Sequence, residues 1–246
     1  MVKLNITGNL YLKRDPKKYS PTYINVLHVQ LSAIFNYAVT YYRLPSNPAK
    51  LAGGIGKTKA HAMKFWTIGQ FNQFISSFPA DSTEYLVFNL LFYTGRRSEE
   101  LLALTLADFY EKEKSIHVNK TYSRLHKKDI ITSPKTEKGN RVILLPQFIV
   151  DILAGYINRL PYIKQNERIF PCSKFWLFRH MKLGCKLSGA EQIRIHDLRH
   201  SYASLLIEMV FSPLLIKERL GHEDIKITLQ TYSHLYPSKQ EELTAN

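Results

Sequence analysis

The stretch TEYLVFNLLFYTG, residues 83–95, constrains the fold more than any other. A helix of that composition is apolar on nearly every side, so other elements must enclose it all round. Ser82 offers a cap at its start. A chain of 246 residues can supply that enclosure, as one large domain or as one domain plus a small module. Upstream, Thr67 can cap a helix running through Ser77. Downstream, RRSEELLALTLADF reads as a short amphipathic helix. The hydrophobic period then changes. Over 107–145 β-branched residues alternate with polar ones around a Gly-Asn turn at 139–140, which predicts a small antiparallel sheet on the edge of a helical domain. After Pro146 the helical period returns over 147–160, 173–187, 196–210, 213–221 and 224–235, with the short run RIFP between the first two. The fold class expected is mainly α with a small antiparallel β-sheet (α+β).

The N-terminal part reads differently. TYINVLHVQLSAIFNYAVTYY, 22–42, has apolar residues at helical spacing, and Pro21 suits its first turn. RLPSNPAKLAGGIGKTKAHAMK, 43–64, has the composition of a linker. A boundary near residue 64 follows. Residues 1–64 are too few for a core of their own, so they are expected to be part of a module or to lean on the larger domain, and 65–246 form the main domain. Charge is concentrated in the same place. Residues 1–66 carry ten Lys/Arg against Asp15 alone, so +9 of the net +14 lies there. That asymmetry points to a polyanionic partner followed along its phosphates, with Arg43, Lys57, Lys59 and Lys64 as candidate contacts. No run approaches 18 apolar residues, and the first residues lack the pattern of a secretory signal, so no membrane role is expected. Two cysteines suggest a reducing compartment, and the expected location is the cytoplasm, at the nucleoid for a DNA binder.

Several short stretches can carry chemistry. In YTGRRSEELLAL, Arg97 opens a helix where its planar fork can meet a phosphate, with Glu100 placed to orient it. In SPKTEKGNRVI, Lys135 stands near a hairpin tip, from which an ammonium can reach a groove and donate a proton. In IHDLRHSYASLLIE, His196, Arg199 and His200 fall at i, i+3 and i+4 and share a helix face. A cationic cluster on a buried helix is costly unless an anion faces it. Zinc is a poor fit, since the glutamate of HExxH is absent and no third ligand is evident, so no metal is expected. In LGHEDIKITLQTYSHL, Gly221 can end one helix, His222 sits at the turn, and Tyr232 follows two to three turns on. A phenol with an ordinary pKa near 10 is a poor nucleophile at neutral pH, but surrounding cations would stabilise its phenolate. Together these pieces describe tyrosine attack on a phosphodiester.

Arg97 in TGRRSEEL, Lys135 in SPKT, HDLRH at 196–200, LGH at 220–222 and TYSHL at 231–235 resemble, in order and spacing, the signature of the tyrosine recombinases, or phage-type integrases. The resemblance spans 67–236, plus the helix LSAIFNYAVTYYRLPSNP at 31–48, and is closest to integrases of prophages and conjugative elements of low-GC Gram-positive bacteria. It implies a helical catalytic domain at 65–246, preceded at 1–64 by a partial, helical core-binding module and basic linker. It implies site-specific cleavage and rejoining of double-stranded DNA through a 3′-phosphotyrosyl link, for integration and excision of a mobile element, without cofactor, metal or ATP. Tyr232 would be the nucleophile, with Tyr236 a second tyrosine nearby. Arg97 and Arg199 would clamp the phosphate, with Arg96 the alternate to Arg97. Lys135 would protonate the leaving oxygen, His196 would act as acid and base on the tyrosine, and His222 would bind the phosphate. His200 would have a supporting role. Self-association on DNA, and an excisionase or DNA-bending host factor, come with the family. Compared with the family pattern the N-terminal region reads as shortened, and the alternative function is a DNA-binding remnant that occupies recombination sites without strand exchange.

Overall fold

The computed structural model describes residues 3–4, 10–11, 19–55, 64–134 and 136–232. The chain divides into two compact units, 1–62 and 63–246.

In the first unit β1 (Lys3–Leu4) pairs antiparallel with β2 (Leu10–Tyr11). Helix α1 (Pro21–Tyr41) begins as its sequence predicts, with Pro21 in the first turn and Ser20 Oγ accepting from Tyr23 N at 3.2 Å. The segment read as linker from 43 is in part structured. Asn47 caps the short helix α2 (Pro48–Leu51) and donates from Nδ2 to Ser32 O at 2.9 Å and Asn36 Oδ1 at 2.8 Å. This buried amide ties residues 47–51 back to α1, a role that composition does not reveal.

The second unit is built round α4 (Thr83–Thr94), which packs against α3 (Ile68–Ile75), α5 (Ser98–Leu102), α6 (Gln147–Arg159) and α8 (Asp197–Glu208). Leu86 through Phe92 are all buried, as an apolar helix without a polar face requires. Phe71 of α3 stacks on Phe92 at 3.8 Å between centroids, and Phe74 meets Phe88 edge-on at 5.0 Å. Helix α7 (Lys174–Ser188) closes this layer, and Gly184 lets the rings of Phe74 and Phe78 come close. Helix α5 is shorter than expected. Thr105 and Asp108 bond to each other, with Lys120 Nζ 2.7 Å from the buried Asp108 carboxylate, and the chain turns there instead of continuing the helix. Among the described residues no helix is long and apolar enough to cross a membrane.

The expected single sheet is two. β3 (Phe109–Tyr110), β4 (Ser115–Val118) and β7 (Arg141–Leu144) form one antiparallel sheet, and β5 (Thr121–Leu125) with β6 (Lys128–Thr132) forms a separate hairpin. The hairpin turn is not Gly139-Asn140, which leads out of a 3₁₀ turn into β7. It is His126-Lys127, both at positive φ (48° and 65°), closing the Leu125–Lys128 pair as a two-residue loop. Positive φ at two ordinary residues leaves no compositional signal. The last elements, α9 (Pro213–Leu220) and α10 (Ile225–Tyr232), pack with α8 around a second core of Tyr202, Ala203, Leu206, Ile216, Leu220 and Tyr232.

Candidate active site

Arg199 sits where three helices meet. It is 3% exposed, and its guanidinium donates to Gly95 O at 2.9 Å and Leu220 O at 2.6 Å. Gly95 ends α4 and Leu220 ends α9, so one side chain staples two helix C-termini whose dipoles favour a cation. Gly95 must be glycine here. Its φ is +60°, and a Cβ would lie 2.3 Å from Tyr202 Cδ1. Burial, and then the charge of Arg97, lower the pKa of Arg199 to about 9.

Arg97 is half-exposed at the N-cap of α5 and donates from Nη1 to Glu100 Oε1 at 2.8 Å. Glu100 is 2% exposed and also takes Arg141 Nη2 at 2.9 Å. Burial pushes the Glu100 pKa up, but the charge and hydrogen bonds of Arg141, with Arg96 behind, hold it at about 2. Arg96 is the buried member of the pair at 96–97, and its Nε and Nη1 have no partner. Arg97 instead lines a cleft of about 380 Å³ with Glu100, Thr121, Pro134, Thr136 and Gly139. Lys135 itself lies outside the described residues, but both its chain neighbours line that cleft.

Arg141 is the member of the cluster that sequence reasoning missed. It anchors Glu100 and donates from Nε to Arg219 O at 3.0 Å. Arg219 Nη2 returns a bond to Leu144 O at 3.1 Å, and Lys138 Nζ reaches Glu223 O at 2.9 Å. The edge of the sheet thus grips the turn that carries His222. A signal was present: Arg141 and Ile143 alternate onto the same face of β7, and Ile143 is buried.

The histidines gather beside these cations. His196 is the N-cap of α8 and not a residue of its first turn, and its ring meets that of His200 edge-on at 5.2 Å. His200 Nδ1 lies 2.7 Å from Tyr232 Oη. His222 Nδ1 bonds Thr228 Oγ1 at 2.8 Å. Burial, then the guanidinium charges, bring His222 to about 3 and lower His196; burial and then His196 bring His200 to about 4. All three imidazoles are therefore neutral near pH 7.

Tyr232 departs from expectation. The phenol is 1% exposed, and burial raises its pKa to about 12 against the pull of Arg199. Cations were expected to favour the phenolate; in this conformation desolvation wins. Tyr236 lies outside the described residues, as do Lys57 and Lys59. Arg43 is exposed in the first unit, at a positive φ of 55°. Lys64 pairs with Glu191, so part of its charge is already compensated. The structure therefore brings together Arg97, His196, Arg199, His222 and Tyr232, and adds Glu100, Arg141 and His200.

A mainly helical domain with a buried tyrosine, three imidazoles and clustered guanidiniums defines a class of protein, and comparison with known families agrees. Residues 62–239 match the Phage integrase family, and the chain belongs to that family. It is 34% identical over 235 residues to the ICEBs1 integrase of Bacillus subtilis (strain 168), covering 89% of this chain and 63% of that protein. It is 26% identical to the integrase of Staphylococcus phage L54a, covering 98% of this chain and 82% of that protein. The fold is shared with the Tn1549 transposon integrase solved in complex with a circular intermediate DNA, at 21% identity and a TM-score of 0.76 over 93% of this chain and 80% of that one. The chain thus spans less than two thirds of the ICEBs1 integrase's length.

Proposed function

We propose that this chain is a site-specific recombinase that cleaves and rejoins double-stranded DNA through a 3′-phosphotyrosyl link, in the integration and excision of a mobile element. One observation carries the reading: the hydroxyl of Tyr232 is held at 2.7 Å by an imidazole, in the same cluster as the guanidinium of Arg199, whose pKa the charge of Arg97 lowers. Arg97 and Arg199 bind the non-bridging oxygens and offset the charge that develops on phosphorus. His222 and His196, being neutral, offer further hydrogen bonds. Lys135 protonates the leaving 5′-oxygen from the segment bordering the Arg97 cleft. The phenol oxygen forms the new P–O bond as the P–O5′ bond breaks, so the diester energy is kept and rejoining needs no nucleotide cofactor. Residues 65–246 are the catalytic domain, and 1–64, with Arg43, Lys57 and Lys59, are part of a DNA-gripping module. Assembly on paired sites, with accessory DNA-bending proteins, at the nucleoid belongs to the same reading.

The test uses the 246-residue chain and a random-sequence pool of nicked duplexes, in which the short 5′-hydroxyl fragment between the cleavage point and the nick is lost once cleavage occurs. The expected result is a denaturation-resistant protein–DNA adduct, with the nucleotide on the tryptic peptide 227–239. That peptide holds both tyrosines, and Tyr232→Phe abolishes the adduct whereas Tyr236→Phe does not. DNA retention without any adduct from the unaltered chain would favour the site-occupying remnant instead.

A further inference from the structure

The phenol proton needs a destination, and the geometry gives it one that the motif order does not. His196 was the expected acid and base for the tyrosine. Yet His200, one turn further along α8, is the group whose ring nitrogen meets Tyr232 Oη. Tyr232 arrives from α10 and is enclosed by the second core, so its hydroxyl is presented to that imidazole with little solvent around it. His196 stands behind His200, ring to ring, on the side of Arg97 and Arg199.

We infer that His200 is a catalytic residue, the base that takes the proton of Tyr232 during cleavage and the acid that returns it during rejoining. This rests on the recombinase reading above. The groups facing His200 are His196 at the N-cap, Asp197 and Arg199 on α8, Arg194 from the preceding loop, and Tyr232 from α10. Burial, and then His196, keep the imidazole neutral, and the inferred role takes the tautomer with its proton on Nε2 and the lone pair of Nδ1 toward Tyr232 Oη. As Oη bonds to phosphorus, the Oη–H bond breaks and its proton passes to Nδ1. The electron pair of the P–O5′ bond leaves with the 5′-oxygen, which is protonated by Lys135. In the return step the 5′-hydroxyl attacks and gives its proton to the neutral amine of Lys135, the Oη–P bond breaks, and His200 gives its proton back to Oη. No further reactant is consumed. A phosphodiester seated on Arg199 offsets one of the charges that depress His200, so its proton affinity rises when substrate is in place.

The test compares single-turnover capture by the unaltered chain and by His200→Asn, using a duplex sequence recovered from the random pool, between pH 6 and 9. Asn places an oxygen near the position of Nδ1, so it accepts the phenol hydrogen bond but cannot hold the proton. Its expected rate is lower by about 10²–10⁴-fold and climbs about tenfold per pH unit, because hydroxide replaces the imidazole, whereas the unaltered rate is flat. DNA binding by the variant, and by His200→Gln run beside it, shows that the fold is kept. A second substrate carries sulfur at the bridging 5′ position, where the leaving thiolate needs no proton. It restores Lys135→Ala and leaves His200→Asn slow. A His200→Asn rate and pH profile equal to those of the unaltered chain overturn the inference in favour of a positioning role. Rescue of His200→Asn by the bridging sulfur overturns it in favour of a role at the leaving group. Absence of any adduct from the unaltered chain sinks the recombinase reading and this inference together.

Discussion

Glu100 is the carboxylate on which the cationic cluster is assembled, and Glu100→Gln measures what it contributes. Its side chain is 2% exposed, and Arg141, which faces it, is 8% exposed, so water screens this pair little. The folded-state pKa is about 2, against an ordinary 4.5. At about 1.4 kcal/mol per pH unit the gap corresponds to about 3 kcal/mol at neutral pH. Breaking one side of a buried ion pair gives the same order, about 3–5 kcal/mol. A depressed carboxylate contributes fully above its unfolded pKa and loses its contribution as the pH falls toward the folded one. The stability gap between the unaltered chain and Glu100→Gln is therefore expected to be about 3 kcal/mol at pH 7 and nearly constant down to pH 5. It then shrinks steadily below pH 4.5. The assay is urea unfolding followed by circular dichroism at pH 7, 5, 4 and 3. In a heat scan at pH 7 the variant melts roughly 6–12 °C lower, at about 2–4 °C per kcal/mol for a domain of this size. A gap that stays the same between pH 7 and pH 3 would refute the reasoning, because the loss would then come from shape and not from charge.

Gly95→Ala is expected to cost about 2–4 kcal/mol, from the left-handed backbone and from overpacking against Tyr202 and Leu220. It should also slow DNA capture by moving the carbonyl that holds Arg199; a thermal shift under 1 °C would show that the junction relaxes freely. Val210→Gly should stabilise by about 1 kcal/mol. Val210 lies at φ 62° and is 88% exposed, just past α8, where Val210 N bonds Ile207 O at 2.8 Å and Phe211 N bonds Leu206 O at 3.0 Å. That is the helix ending that glycine favours, and a lower urea midpoint for the variant would contradict it.

What the sequence disclosed depended on whether a feature left a periodic trace. The apolar run of α4 demanded enclosure and has it, the four helices expected between 147 and 221 begin and end within a few residues of those bounds, and α10 begins within one residue of its expected start, its expected end at 235 lying outside the described residues. The hairpin turn left no trace, because His126 and Lys127 adopt positive φ without glycine or asparagine. The order of Arg97, His196, Arg199, His222 and Tyr232 was legible as spacing. Their contacts were not. Spacing places His196 and His200 on one side of α8, but which ring meets a tyrosine from α10 depends on how α9 turns at Gly221. Arg141 was missed because alternation along β7 puts it on the face of the buried Ile143 but does not reveal its partner Glu100, which comes from across the fold.

The placement of the guanidiniums explains why the cluster favours an anion. Arg199 is satisfied on its buried side by the carbonyls that end α4 and α9, and Arg141 by the carbonyl of Arg219 near the end of α9. Helix C-termini accept cations without adding a full negative charge. Glu100 is the carboxylate that Arg97 and Arg141 share, with Arg96 close enough to lower its pKa further, whereas Asp108 is bonded to Lys120. The positive field is thus left largely uncompensated, and it contributes to the low pKa values of His196 and His222. Were the arginines neutralised by further acids, those imidazoles would return toward their ordinary range and the attraction for a phosphate would fall with them. Neutral histidines beside buried arginines are two consequences of one arrangement, in which backbone carbonyls hold the cations and leave the countercharge to the proposed phosphodiester.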